Sequence, residues 1–144
     1  MTWQALWDAR PEMAEFGGQS LAGKVAYLAT LREDGSPRVH PVTPIVGEGH
    51  LFLFMEPSSP KSLDLQRDPR YSLHGSVADA HGDEGEFAVS GRARRVEGAE
   101  QRETAARLSS YKPADRAILF ELDVERASST VYLCGHASRE EWVR

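Results

Sequence analysis

A second cysteine is missing from this chain. Cys134 stands alone among 144 residues, so no intrachain disulfide can form, and the pattern fits a reducing, cytoplasmic compartment. An excess of positive charge is missing too. Lys and Arg number 17 against 22 Asp and Glu, for a net charge of −5. A duplex-binding domain is normally basic, so nucleic acid is not expected as the main partner. No apolar run approaches the roughly 20 residues of a membrane span, and no membrane partner is expected. The N-terminal stretch MTWQALWDARPEMAEF carries acids and no long apolar segment, so it does not read as a signal peptide. Internal repeats and low-complexity segments are absent. What remains is a hydrophobic content of 40% with 27% charged residues, the balance of one globular domain over residues 1–144.

Along the chain, hydrophobic spacing predicts a short amphipathic N-terminal helix within residues 1–18. Trp3, Leu6, Trp7 and Met13 share its apolar side, Pro11 breaks or restarts it, and Gly17-Gly18 ends it. Its Trp3, Leu6, Trp7 face reads as core or subunit packing, because no basic face accompanies it. KVAYLATL (24–31) and a strand from Arg38 to Val46 flank a turn at Asp34-Gly35. HLFLFM (50–55) reads as a buried strand. Ser59 as cap, Pro60 at the first helical position and Pro69 beyond Asp68 bound a two-turn helix, Pro60 to Arg67. Strands are expected at 70–78, 86–97, 117–124 and 129–135, with a helix near 99–110 and a polar tail at 136–144. Six or seven short strands joined mainly by hairpins imply an antiparallel barrel, mainly β, with short peripheral helices.

Two stretches carry chemistry. In RVHPVT (38–43), polar residues and prolines replace the Val and Ile of a core strand. Pro41 and Pro44 cannot donate to a ladder, so this strand belongs at an edge or a bulge. In MEPSSPK (55–61), a helix N-terminus points unpaired N–H groups forward and favours an anion. Ser58 and Ser59 add hydroxyls. Lys61 puts a cation where a helix alone disfavours one, a conflict that a phosphate would remove; a solvated lysine is the plainer alternative. Asp79, His81, Asp83 and Glu84 cluster in one loop near His74, but their spacing matches no zinc or EF-hand pattern, so no metal is expected. Arg92, Arg94 and Arg95 read as a solvated strand edge. Cys134 reads as a small buried hydrophobe.

Taken in order, VAYLATLREDGSPRVHPVTPI, HLFLFMEPSSPKSLDLQRDPRYSLHG and GEFAVSGRARRVE resemble the pyridoxamine 5'-phosphate oxidase-like family, the flavin-binding split barrels. The resemblance implies a Greek-key-like split β-barrel, a small-molecule substrate, and a homodimer with its cofactor sites at the interface. It implies FMN as cofactor, with the deazaflavin coenzyme or haem as alternatives among related barrels. By position, Arg38, Val39, His40, Pro41, Val42 and Thr43 would line the flavin. Phe54 and Met55 would lie beside it, and Ser58, Ser59 and Lys61 would hold its phosphate. Glu86 would come from the second subunit, at a position that is glutamine in true oxidases. His40 is the candidate proton donor, with His74 second. Thr43 and Pro60 depart from the family's lysine and arginine. The chain therefore reads as a flavin-dependent oxidoreductase, or as a non-enzymatic protein that binds flavin or haem.

Overall fold

The computed structural model describes residues 2–78, 80 and 84–144. Pro11 does restart the N-terminal helix, giving α1 (Thr2–Ala9) and α2 (Pro11–Leu21). Gly17-Gly18 does not end it. A Cβ at Gly17 would collide with the Phe87 ring. The glycine is therefore there for close helix–sheet approach, and α2 runs one turn further.

The strands are β1 (Ala26–Leu31), β2 (Pro37–Val42), β3 (Ile45–Gly47), β4 (His50–Met55), β5 (Arg70–Gly75), β6 (Glu86–Val96), β7 (Ile118–Leu133) and β8 (His136–Val143). Two further helices are α3 (Pro60–Arg67) and α4 (Ala99–Leu108). The described strands number eight rather than six or seven. Thr43-Pro44 splits the expected second strand in two. The expected strands at 117–124 and 129–135 are one strand of 16 residues, because Glu125 to Ser128 contain no turn-forming Gly or Pro. The strand bulges there instead of turning: Ser90 and Gly91 of β6 pair with Arg126 and Val124, which leaves Glu125 of β7 as the extra residue.

The polar tail is also a strand. β8 pairs antiparallel with Arg126–Leu133 of β7. Cys134 and Gly135 join the two with φ of 51° and 79°, the positive values that a two-residue hairpin turn requires. Cys134 is exposed in that turn and is not a buried hydrophobe.

All pairings are antiparallel, in the order β2-β1-β5-β6-β7-β4-β3, with β8 beside β7. β2 and β3 lie at opposite ends of this path, yet only Thr43 and Pro44 separate them. Three Cα steps reach at most about 11 Å. The sheet must therefore curl until its two edges nearly meet, which makes it a split barrel. Leu28, Leu53, Leu73, Phe87, Phe120 and Leu122 fill the interior, and Trp3, Leu6, Met13 and Leu21 close it from α1 and α2. Each such side chain contributes about 1.5–3 kcal/mol by burial. A smaller cluster of Ile45, Phe52 and Leu119 sits under Ala105 of α4. Asp79, His81 and Asp83 of the acidic loop lie outside the described residues. Among the described residues no group of three or more metal-ligating side chains occurs.

Candidate functional site

α3 begins and ends where its capping residues place it. Ser59 Oγ accepts from the Ser62 N–H at 3.4 Å and donates to the Glu56 carbonyl at 2.8 Å. Its hydroxyl is thus engaged in the cap, while Ser58 is exposed. The helix turns Ser62, Asp64 and Leu65 inward and leaves Leu63 50% exposed. A polar face therefore meets the sheet.

Asp64 explains this. Its buried Oδ2 accepts from Thr30 Oγ1 at 2.7 Å and from Arg38 Nε at 2.8 Å. Oδ1 accepts from the Arg67 guanidinium at 3.0 Å. Thr30 and Arg38 are register partners on β1 and β2. One carboxylate thus ties α3 to both strands. Burial pushes Asp64 up, but hydrogen bonds from Thr30, Arg38 and Arg67 outweigh it and hold the carboxyl below its ordinary value.

Positive charge is left over. Arg38 spends only Nε on Asp64; among the described residues its two terminal nitrogens have no bond, and its side chain is 23% exposed. Lys61, one turn before Asp64, makes no ion pair among the described residues. The unpaired Lys61 and the open terminal nitrogens of Arg38 therefore belong to the same helix–strand junction, where the helix dipole also favours an anion.

His40 and Val42 follow Arg38 on the half-buried side of β2, opposite Leu28 and Ala26. Pro37, Val39 and Pro41 form the other, exposed side, with Val39 62% exposed. β2 is an edge of the sheet, the place its prolines require. Thr43 is half-buried just beyond it. Met55 is buried in the main core. Phe54 points to the other layer: it packs in the α4 cluster, with the Arg102 guanidinium 5.2 Å from its ring centre. Glu86 pairs with Thr130 on β7, and among the described residues no hydrogen bond or ion pair joins its side chain to Arg38 or α3. His74 donates Nδ1–H to the Gly75 carbonyl at 2.6 Å.

Arg38 and the Lys61 helix are thus brought together, and Asp64 and Thr30 join them unforeseen. Nothing local in SLDLQR says which face of the helix is inward. Only the distant partners Thr30 and Arg38 make Asp64 a buried residue. Another opening, of about 630 Å³, lies elsewhere, between α1, α2 and the β3–β4 turn.

Comparison with known proteins bears on the family and the fold. A family model described as pyridoxamine 5'-phosphate oxidase matches residues 11–130. No curated protein matches the chain. Among solved structures, a heme-binding protein from Mycobacterium smegmatis is similar at 23% identity and TM-score 0.71, over 93% of this chain and 59% of that one. A conserved hypothetical protein from Mycobacterium tuberculosis aligns at 22% identity and TM-score 0.68, over 83% and 82% of the two chains. PhzG from Burkholderia lata, solved with tetrahydrophenazine-1-carboxylic acid, aligns at 15% identity and TM-score 0.65, over 99% and 83%. At these identities the likeness is one of fold.

Proposed function

Because the chain belongs to the pyridoxamine 5'-phosphate oxidase family, we propose that it binds FMN at the β2 edge and the start of α3 and acts as a flavin-dependent oxidoreductase on a small molecule. The observation that carries this reading is that Asp64 of α3 anchors Arg38 of β2 through Nε alone, leaving its terminal nitrogens open at the helix whose second residue is Lys61. The donor set suits a phosphate monoester. It comprises the Lys61 ammonium, the two terminal nitrogens of Arg38, and the backbone N–H of Lys61, which at the second helical position has no acceptor in its own helix.

A bound flavin supplies hydride transfer; the chain supplies place and orientation. β2, as an edge strand, offers unpaired backbone groups for hydrogen bonds to a planar ring. His40, two residues from Arg38 on the same side of β2, would hold or donate a proton there. Thr43 and Pro60 give this site two fewer cations than family oxidases carry, which argues against vitamin B6 phosphates as substrate. Haem is the second reading, favoured by the similar fold of a heme-binding protein; His40 would be its ligand. The deazaflavin coenzyme would use the same phosphate donors.

Replacing Lys61 with alanine should weaken FMN binding by about 1.5–3 kcal/mol, roughly 10- to 150-fold in Kd, through loss of a charge-assisted bond. Fluorescence titration of both proteins reads this directly, and an unchanged Kd would overturn the phosphate assignment.

A homodimer is part of this reading. Val25, Tyr27 and Val39 are exposed, with Tyr27 directly opposite Pro41 in the β1–β2 register. A second copy would cover this apolar stripe. Val39→Glu should turn a dimer into a monomer in sedimentation while leaving the circular dichroism unchanged. A wild-type protein that sediments as a monomer would contradict the dimer. No described helix is long and apolar enough to cross a membrane.

A further inference from the structure

A second opening in the molecule has no part in the site above. It lies between α1, α2 and the β3–β4 turn and holds about 630 Å³, within the range of small-molecule sites. Its nearest point on β4 is the strand's start; the candidate cofactor site lies past the other end. Five steps of about 3.3 Å put roughly 17 Å between them.

The walls are specific. Trp3 and Trp7 of α1 form one side. Trp3 is buried and locked edge-on against Phe87, with ring centres 6.0 Å apart. Trp7 is 44% exposed at the opening. Ala14 and Gly18 of α2 and Ala22 just past its end form another side, and Val46 to Gly49 of the turn also line the cleft. Gly18 leaves room rather than packs: a Cβ there would meet only a Val46 methyl, at 3.9 Å.

The charge is one-sided. Glu15 and Glu48 line the cleft, with the amides of Gln4 and Gln19, and no Lys, Arg or His does. Glu48 is paired with Arg107 at 2.6 Å. Glu15 makes no ion pair among the described residues, so a negative charge remains uncompensated. Indole faces attract cations through their quadrupole, and a nearby carboxylate adds to that attraction. An anion would be repelled.

We propose that this cleft binds a small planar organic cation, stacked on Trp7 and drawn in by Glu15. The proposal does not depend on which cofactor the other site holds.

N-methylquinolinium serves as probe, with neutral quinoline and the anion quinoline-2-carboxylate as controls, in calorimetric titrations of the full chain. Saturable binding of the cation at one site per chain is expected, at least tenfold tighter than quinoline, with no binding of the carboxylate. Trp7→Ala should lower the cation affinity at least tenfold, and Glu15→Gln severalfold. Both positions are at the surface, so the melting temperature should hold, and the FMN titration of Trp7→Ala should match wild type. No saturable binding, as when a second copy covers the cleft, would overturn the proposal. So would equal binding of the anion, or full affinity in Trp7→Ala.

Discussion

Replacing Asp64 with alanine is expected to lower stability by about 2–4 kcal/mol and to weaken FMN binding in the same protein. The carboxylate is buried and accepts from three donors on three elements, Thr30 of β1, Arg38 of β2 and Arg67 of α3. Removing it leaves the Thr30 hydroxyl buried without its partner and places two arginines close together without a counter-charge. Breaking a fully buried pair costs about 3–5 kcal/mol. The lower figure here reflects the partial exposure of both arginines. At about 2–4 °C per kcal/mol for a domain of this size, melting should fall by roughly 5–15 °C. Arg38, no longer held, should lose its orientation toward the ligand, so FMN affinity falls although Asp64 itself repels an anion.

The pH dependence has a definite sign. The folded carboxyl lies below its ordinary value of 3.8. The stability it contributes is therefore complete above that value and is lost as pH falls through the lower folded value. The melting difference between wild type and Asp64→Asn should be constant near neutrality and shrink below about pH 4. Thermal melts of both proteins from pH 7 to pH 3 check this. A difference that grows on acidification would contradict the role given to Asp64.

The second large effect concerns the backbone. Gly91→Ala should destabilise by about 3 kcal/mol or more, or prevent folding. Gly91 sits at the register shift between β6 and β7. A Cβ there would collide with the Asp123 carbonyl oxygen and lie 3.0 Å from the Glu125 nitrogen. Both atoms are backbone, so no side chain can swing aside, and the longest strand pair would have to part. Gly35→Ala is the contrast. Its added Cβ meets nothing within 4 Å, but its φ is +85°, so only the strain of that turn applies, about 1 kcal/mol. Melting temperatures of the two variants should differ by several degrees. Equal values would mean that the bulge can take a side chain.

Local rules found what local residues determine. Ser59-Pro60 and Asp68-Pro69 fixed both ends of α3, and Pro41 placed β2 at an edge. The ordered segments between residues 20 and 97 pointed to the family. Three features escaped because their causes are distant. Gly17 reads as a helix end until Phe87 is seen against it. β8 has a polar sequence without apolar alternation, and it exists because the second half of β7 has a free edge beside it. Asp64 lies 34 residues from Thr30 and 26 from Arg38, and nothing in its own helix announces that it faces inward. In the site, Arg38 and Lys61 were legible as cations out of place. The carboxylate that ties Arg38 to the Lys61 helix was not.

The central claim is that Arg38 and Lys61 hold a flavin phosphate. Its most direct test is the visible absorption spectrum of the purified protein titrated with FMN, the deazaflavin coenzyme and haem in turn, with the retained cofactor identified by mass. A saturable flavin spectrum with one FMN per chain, lost or weakened in Lys61→Ala, is the predicted result. A protein that leaves the FMN spectrum unperturbed, or that retains haem alone, would contradict it.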